Sequence, residues 1–268
     1  MNLMDETFHR LRKEKRTALI PFLTVGDPDV GTTVDIIREL EEAGADMLEL
    51  GVPYSDPLAD GPVIQRASER ALKSRISIRT CMETADKARA AGVRMPFILF
   101  TYYNPVLQMG MEPFFAALQQ HGISGLIIPD LPIEEAEDLG RLAVQAGVNL
   151  VPLVAPTSDK RIERIVRNAR GFVYCVSSLG VTGERASFFE GVESFIEQVK
   201  RHTDLPVAIG FGISNGEQVK RFSRICDGVV VGSAIVRQVE EAIPLLEDPS
   251  HRKEGLLQIR SFVAQLRA

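Results

Sequence analysis

Short apolar runs recur along the whole chain, and longer amphipathic segments separate them. Each run is four to eight residues long, rich in Val, Ile, Leu or Phe, and bounded by glycine or proline. This pattern is typical of strands buried on both faces of a parallel sheet. The runs are Leu19–Thr24, Met47–Gly51, Phe97–Tyr102, Gly125–Pro129, Leu150–Val154, Phe172–Ser177, Val207–Gly210 and Gly228–Val231. Such repetition of one βα unit favours a closed (β/α)8 TIM barrel, an α/β fold.

The chain length agrees with this fold, because 268 residues are about what one such barrel needs. No linker or low-complexity tract divides the chain, so we expect a single domain over residues 1–268. The alternative is a doubly wound open sheet. It is weaker because no Gly-x-Gly-x-x-Gly motif follows the first strand.

Several helices and two extended loops can be placed between the predicted strands. Met1–Arg16 predicts an extra N-terminal helix, and Asp27-Pro28 is expected to open the first barrel helix. The long connection after the second strand predicts helices at Pro62–Lys73 and Ser77–Ala91. The segment after the sixth strand, Leu179–Phe189, is also long and is interpreted as a mobile lid. Loops that follow barrel strands lie at the face where these enzymes place their chemistry.

The overall composition limits the partners and the compartment. The net charge is −5, which argues against nucleic acid or an anionic membrane as the main partner. Three widely spaced cysteines predict reduced thiols. The apolar run Ala18–Val25 is too short and too far into the chain for a signal peptide, and no run approaches the length of a membrane span. We therefore expect a cytoplasmic protein.

A carboxylate interrupts the second predicted strand, Met47-Leu48-Glu49-Leu50-Gly51. Side chains alternate across a strand, so Glu49 is expected to face the barrel interior while its two leucine neighbours face the helices. Burial should raise the pKa of the Glu49 carboxyl, which suits a general acid or base. The alternative is a structural ion pair with a buried arginine, although no predicted strand contains one.

A second acid, Asp60, lies in the proline- and glycine-rich loop that follows this strand. Asp60-Gly61-Pro62 is also a plausible helix start, so an N-cap is the alternative role for Asp60. The lysines and the four histidines all fall outside the predicted strands. This distribution disfavours a Schiff-base aldolase and a zinc aldolase. A metal-free and cofactor-free reaction run by carboxylates is the chemistry that remains.

Glycine turns follow the last two predicted strands, Gly210-Phe211-Gly212 and Gly232-Ser233. Barrels often bind phosphate at these two positions, where backbone N–H groups and a helix N-terminus meet the anion. The alternative is that the glycines only form tight βα turns. Their presence at both positions favours a phosphorylated substrate.

The run from Leu48 to Pro62, LELGVPYSDPLADGP, closely resembles the signature of the tryptophan synthase alpha subunit family. The resemblance extends over essentially the whole chain. It includes Pro21–Pro28, Tyr102–Pro105, Asp130–Pro132, Gly180–Gly183 and Gly210–Ser214. It implies a lyase that splits indole-3-glycerol phosphate into indole and glyceraldehyde 3-phosphate.

The same resemblance implies residue roles. Glu49 would be the catalytic acid/base, and Asp60 would hold the indole N–H and stabilise positive charge. Thr182 would be a lid residue that closes onto Asp60. The other residues of the implied indole pocket are Phe22, Phe100, Tyr102, Leu126, Tyr174 and Phe211. The implied phosphate ligands are Gly183, Gly212, Gly232 and Ser233.

The family also implies a partner, a beta subunit that carries pyridoxal phosphate, in an alpha2beta2 heterotetramer. The implied interface residues are Tyr54, Asp56, Pro57, Asn104, Pro105, Leu131 and Pro132. The alpha chain itself would need neither pyridoxal phosphate nor metal. Three alternatives stay open: a stand-alone lyase, a barrel that only activates its partner, and another phosphate-sugar isomerase barrel.

Overall fold

The computed structural model describes residues 1–131, 134–167, 169–177, 188 and 191–267, without the side chains of residues 159 and 160. The strands in these residues are β1 (Ala18–Thr24), β2 (Leu48–Gly51), β3 (Phe97–Phe100), β4 (Gly125–Ile127), β5 (Asn149–Leu150), β6 (Leu153–Val154), β7 (Val173–Val176), β8 (Val207–Gly210) and β9 (Gly228–Val231). The helices are α1 (Leu3–Glu14), α2 (Val30–Glu42), α3 (Pro62–Lys73), α4 (Ile78–Ala90), α5 (Tyr103–Met109), α6 (Met111–Gln120), α7 (Ala136–Gln145), α8 (Ile162–Val166), α9 (Val192–Arg201), α10 (Gly216–Phe222), α11 (Ser233–Leu246) and α12 (Arg252–Arg267). A 3₁₀ turn at Pro156–Arg161 precedes α8.

The strands form one parallel sheet in the order β5-β4-β3-β2-β1-β9-β8-β7-β6. Only Val151 and Pro152 separate β5 from β6 in the chain. The Val151 N–H donates to the Leu126 carbonyl at 2.9 Å, and the Pro152 carbonyl accepts from the Tyr174 N–H at 3.0 Å. This segment therefore joins β4 on one side to β7 on the other, and the barrel closes through it.

The predicted (β/α)8 barrel is confirmed, with one difference in its strands. The predicted fifth strand, Leu150–Val154, is divided into β5 and β6, because Pro152 has no N–H for a ladder hydrogen bond.

The helix predictions are confirmed in position, and one helix start is corrected. Helix α3 spans Pro62–Lys73 as predicted, and Ser77 is the N-cap of α4. Helix α2 does not open at Asp27-Pro28. Its N-cap is Asp29, whose carboxylate accepts a hydrogen bond from the Thr32 N–H at 2.8 Å. Asp27 is instead buried and forms an ion pair with Arg70 on α3 at 2.8 Å. This arginine compensates the buried charge of Asp27. The predicted lid lies outside the described residues except for Phe188.

Buried apolar side chains form two layers. The outer layer lies between the strands and the helices and includes Leu19, Leu48 and Leu99. The inner layer fills the barrel and includes Ile20, Met47, Ile98, Phe172 and Val230. Alternate residues of a strand therefore belong to alternate layers, as the period of two requires.

Helix α1 closes the end of the barrel at which the strands begin. Its Met4, Phe8 and Leu11 side chains belong to the inner layer, and the Phe8 ring lies 5.4 Å from that of Phe172. The Asn2 side-chain amide donates to the carbonyl of Ser124 at 2.8 Å, just before β4. The N-terminal helix is thus part of the barrel core.

The remaining whole-chain predictions concern cysteines and membrane spans. Cys81, Cys175 and Cys226 are buried free thiols, as their spacing predicts. No helix in the described part of the chain is long and apolar enough to cross a bilayer.

Candidate active site

Glu49 lies on β2 with its side chain inside the barrel, as the alternation of the strand predicts. Its neighbours Leu48 and Leu50 belong to the outer layer. Glu49 is 1% exposed, and its Oε1 atom has no hydrogen-bond partner among the described residues. Burial raises the pKa of this carboxyl well above its usual range. The interpretation of Glu49 as half of a structural ion pair finds no support in the described residues. A carboxyl whose protonated form is favoured by burial therefore faces the barrel interior.

Aromatic rings surround this carboxyl because neighbouring strands present them at the same level. In the parallel register Phe22 on β1 lies beside Glu49. The rings of Phe22 and Phe100 meet edge to face with centroids 5.5 Å apart. Burial, with the Glu49 charge as a second cause, raises the pKa of the Tyr174 hydroxyl well above its usual range. Glu49 thus shares its cavity with the aromatic rings of Phe22, Phe100 and Tyr174.

Asp60, in the loop between β2 and α3, is 5% exposed. The Tyr102 hydroxyl donates a hydrogen bond to its carboxylate and accepts one from the Ala59 N–H at 3.0 Å. Burial raises the pKa of Asp60 to about 6, although the Tyr102 hydrogen bond opposes this shift. The N-cap interpretation is wrong, because the N-cap of α3 is Gly61 and no side chain caps that helix.

A cavity of about 390 Å³, counting the space open to solvent, joins these groups. Its lining residues are Phe22, Glu49, Asp60, Ile64, Phe100, Tyr174, Phe211, Gly212, Val230, Gly232 and Ser233. The structure therefore brings together both predicted acids, four of the predicted indole-pocket residues and three of the predicted phosphate ligands. Sequence reasoning missed Ile64 and Val230. Both could have been found from the sequence. Alternation along β9 places Val230 inside the barrel, and Ile64 follows Asp60 in the first turn of α3.

Two predicted pocket residues lie elsewhere. Leu126 belongs to the outer layer, because the alternation of β4 turns Gly125 and Ile127 inward and Leu126 toward the helices. The prediction that Leu126 lines the indole pocket is therefore wrong. Tyr102 is 2% exposed, but it contacts Asp60 and stacks on Tyr54 with ring centroids 5.0 Å apart. It supports the acid and is not one of the cavity-lining residues. Thr182 lies outside the described residues.

The phosphate end of the cavity is built from the turns after β8 and β9. Gly212 follows β8 with φ +91°, a left-handed conformation that glycine adopts at little cost. Gly232 is the N-cap residue of α11, and Ser233 is the first residue of this 14-residue helix. A helix N-terminus and a glycine turn on the same cavity provide backbone N–H donors for an anion. Gly183 lies outside the described residues.

Most of the predicted interface residues lie in the loop after β2 and in α5, which follows β3. Asp56 and Asn104 are exposed, whereas Tyr54, Pro57 and Pro105 are half-buried. The Asn104 side-chain amide donates to the Tyr54 hydroxyl at 3.4 Å, which links the loop after β2 to α5. Leu131 is half-buried against the outer layer, and Pro132 lies outside the described residues. We call this surface, residues 54–58 together with residues 104–107, the loop face.

Lysines and histidines are placed as the sequence predicts. The lysines are Lys13, Lys15, Lys73, Lys87, Lys160, Lys200, Lys220 and Lys253, and all lie on helices or turns. His9 lies on α1, and His121, His202 and His251 lie on helix ends or turns. Within the described ranges, no three His, Cys, Asp or Glu side chains are arranged as a possible metal site.

Comparisons with known proteins show the family of this chain. A family model described as "Tryptophan synthase alpha chain" matches residues 8–264. The tryptophan synthase alpha chain of Geobacillus sp. (strain WCH70) is 51% identical over 249 residues, which cover 93% of this chain and 95% of that one.

Solved structures give the same result at lower sequence identity. Tryptophan synthase subunit alpha from Legionella pneumophila str. Paris matches with a TM-score of 0.89 at 33% identity, covering 100% of this chain and 97% of that one. A chain of Mycobacterium tuberculosis tryptophan synthase matches with a TM-score of 0.87 at 35% identity, covering 99% of this chain and 96% of that one. The sequence and the fold both show that this chain belongs to the tryptophan synthase alpha chain family.

Proposed function

We propose that this chain is a lyase that cleaves indole-3-glycerol phosphate to indole and glyceraldehyde 3-phosphate, as the alpha subunit of tryptophan synthase. One observation carries the proposal. Glu49, a buried carboxyl whose Oε1 atom has no hydrogen-bond partner among the described residues, faces a cavity lined by aromatic rings and by two glycine turns. The substrate has matching parts, namely an aromatic ring, a reacting carbon chain and a phosphate. Membership in the family supports the same reaction.

Glu49 serves as acid and base in the same cleavage. Burial raises the pKa of the Glu49 carboxyl and so favours its protonated form, which delivers a proton to the ring carbon that bears the glycerol chain. Protonation makes the ring an electron acceptor. The bond between the ring carbon and the chain then breaks as the adjacent hydroxyl loses its proton and becomes an aldehyde. Glu49 takes up that proton, so the carboxyl returns to its starting state.

Asp60 stabilises the charge that this protonation creates. With a pKa of about 6, its carboxyl is mainly ionised at pH 7 and above. An ionised carboxylate accepts a hydrogen bond from the indole N–H and offsets the positive charge on the ring. The Tyr102 hydroxyl holds this carboxylate in place. The two acids therefore act in opposite protonation states.

The phosphate anchors the substrate away from the reacting carbon. Backbone N–H groups at Gly212 and at the N-terminus of α11 would bind its oxygens, with the Ser233 hydroxyl as a further donor. Anchoring at both ends fixes the ring carbon against Glu49, which lowers the entropic part of the barrier. All of these steps are proton transfers and electrostatic contacts that carboxylates and backbone amides can supply. Pyridoxal phosphate belongs to the proposed beta partner.

We place the beta subunit on the loop face, in an alpha2beta2 assembly. Leu58 and Leu107 are 75% and 50% exposed there, and they extend the half-buried Tyr54 and Pro57 into an apolar surface beside the mouth of the cavity. Apolar side chains grouped in this way are typical of a protein interface. An alpha chain mixed with purified beta subunit should cleave its substrate faster than the alpha chain alone. An equal rate with and without beta would favour a stand-alone lyase.

The direct test is release of indole from indole-3-glycerol phosphate, with a metal chelator present throughout. The wild-type chain should cleave the substrate. Glu49→Gln should lower kcat by about 10²- to 10⁴-fold, because the glutamine cannot exchange a proton. Wild-type turnover by Glu49→Gln would contradict the assignment. The isomerase alternative predicts tight binding of a simple triose phosphate, whereas the proposal predicts tight binding of indole-propanol phosphate.

A further inference from the structure

Phe211 has a backbone conformation that its residue type rarely adopts. Its φ is +73°, in the left-handed region. Lys15 and Arg75, the other described non-glycine residues with positive φ, are exposed and lie at the ends of helices. Phe211 instead follows β8 and lines the cavity. A phenylalanine keeps such a conformation only where its surroundings hold it there.

The group that holds this turn is Ser177, which is fully buried at the end of β7. Its backbone N–H donates to the Gly210 carbonyl at 3.0 Å. Its hydroxyl Oγ lies 2.7 Å from the same carbonyl oxygen and within hydrogen-bond reach of the Phe211 carbonyl. One serine therefore binds two successive peptide carbonyls of the turn.

The direction of these carbonyls determines where the linked N–H groups point. In a trans peptide the C=O and N–H bonds point in opposite directions. The Gly210 carbonyl shares its peptide unit with the Phe211 N–H, and the Phe211 carbonyl shares its unit with the Gly212 N–H. Both N–H groups therefore point away from Ser177. Gly212 lines the cavity, and successive N–H groups on one side of a turn form an anion-binding nest.

We infer that Ser177 is a positioning residue for the substrate phosphate: its N–H and its hydroxyl together hold the Gly210 and Phe211 carbonyls and so direct the Phe211 and Gly212 N–H groups into the cavity. Ser177 is buried behind the turn and acts through it, without touching the substrate. The inference rests on the proposed function, because it assigns the anion to the phosphate of that substrate. It explains why a bulky residue keeps left-handed geometry at this position.

The test separates phosphate binding from ring binding. Isothermal titration of the full chain gives the dissociation constants of indole-propanol phosphate and of indole. The dissociation constant of indole divided by that of indole-propanol phosphate measures how much the phosphate tail contributes to binding. Ser177→Ala should lower this ratio about tenfold, the effect of weakening one or two hydrogen bonds to a charged group. The constant for indole should change by less than about twofold. Cleavage should show a raised KM with a smaller change in kcat.

Two further variants serve as controls for the effect of Ser177→Ala. Ser177→Cys keeps the size of the side chain with a weaker donor, so it should lower the ratio by less than Ser177→Ala does, and it replaces Ser177→Ala if that variant does not fold. Thr84→Val removes another buried hydroxyl, one that donates to the Thr80 carbonyl at 2.8 Å on α4. This control should keep the wild-type ratio.

Two results would overturn the inference. One is an unchanged ratio in Ser177→Ala. The other is equal weakening of indole and indole-propanol phosphate, which would mean that the serine only maintains the general shape of the cavity. Failure of the proposed function is a different result, since the unaltered chain would then not cleave indole-3-glycerol phosphate at all.

Discussion

Glu49 and Asp60 are two carboxyls of similar intrinsic acidity in two different surroundings. The Oε1 atom of Glu49 has no hydrogen-bond partner among the described residues, and burial raises the pKa of this carboxyl. Asp60 is also buried, but it receives a hydrogen bond from Tyr102, so its pKa rises only to about 6. Burial thus favours the protonated form of Glu49, whereas the Tyr102 hydrogen bond favours the charged form of Asp60.

The burial of Glu49 predicts that replacing it stabilises the folded chain although it lowers activity. Its pKa is higher in the folded than in the unfolded chain, so folding binds a proton, and stability falls as pH rises from the unfolded pKa through the folded one. Glu49→Gln should therefore raise the free energy of unfolding at pH 8 by on the order of 1 kcal/mol, and by less at pH 5. Urea denaturation at both pH values measures this, with Glu197→Gln, an exposed residue on α9, as the control. A loss of stability at pH 8 would contradict the account.

The rate of cleavage should depend on pH in a bell shape. On the acid side kcat/KM should fall as pH drops through about 6, because Asp60 becomes protonated and loses its charge. On the basic side it should fall once the raised pKa of Glu49 is passed, because the proton donor is lost. Asp60→Asn should be slow throughout and should lack the acid limb. Rates measured from pH 5 to pH 9 test this, and an acid limb that persists in Asp60→Asn would assign it to another group.

At the scale of elements, the inward face of a strand can be predicted where polar and apolar residues alternate along it. β2 carries a charge between leucines, so the inner and outer faces can be told apart from sequence. β4 is a three-residue strand, Gly125–Ile127, without a polar residue. Nothing in its pattern distinguishes the faces, and the orientation of Leu126 was therefore not predictable from alternation alone. Asp27 and Asp29 could both cap α2, and only the ion pair of Asp27 with Arg70 on a distant helix decides between them.

Helix α1 should contribute strongly to stability because it fills the barrel floor. Phe8→Ala should lower the free energy of unfolding by about 3–5 kcal/mol, the usual cost of truncating a buried aromatic ring. Cleavage by the folded variant should stay within about twofold of wild type, since Phe8 does not line the cavity. Urea denaturation and initial rates at low temperature measure the two effects. Leu257→Ala, at a 44% exposed position on α12, is the control. A stability change no larger than that of the control would show that α1 is not part of the core.

At the scale of the whole molecule, the barrel has two unlike ends. α1 fills the end at which the strands begin, while the acids, the glycine turns and the exposed leucines of the loop face gather at the other. Chemistry and the proposed partner surface therefore share one face. This arrangement lets a bound protein act on the site through the loop that carries Asp60.

The loop face yields a prediction about assembly. Leu107→Asp should weaken binding to the beta subunit by about tenfold or more, because a charge then replaces an apolar contact. Its rate without beta should stay close to wild type. Leu257→Asp places the same charge at a similarly exposed position on α12 and should bind beta normally. Titration of beta into each variant, followed by the rise in cleavage rate, measures both. Equal behaviour of the two variants would move the interface elsewhere.

Because α1 plugs the floor of the barrel, a molecule inside it has no way out along the lower axis. A ligand of the cavity therefore has to enter and leave at the opposite end, where the loops after the strands lie. A beta subunit bound to the loop face, as proposed, would cover this end, and its surface would determine whether the indole freed by the proposed cleavage escapes to water.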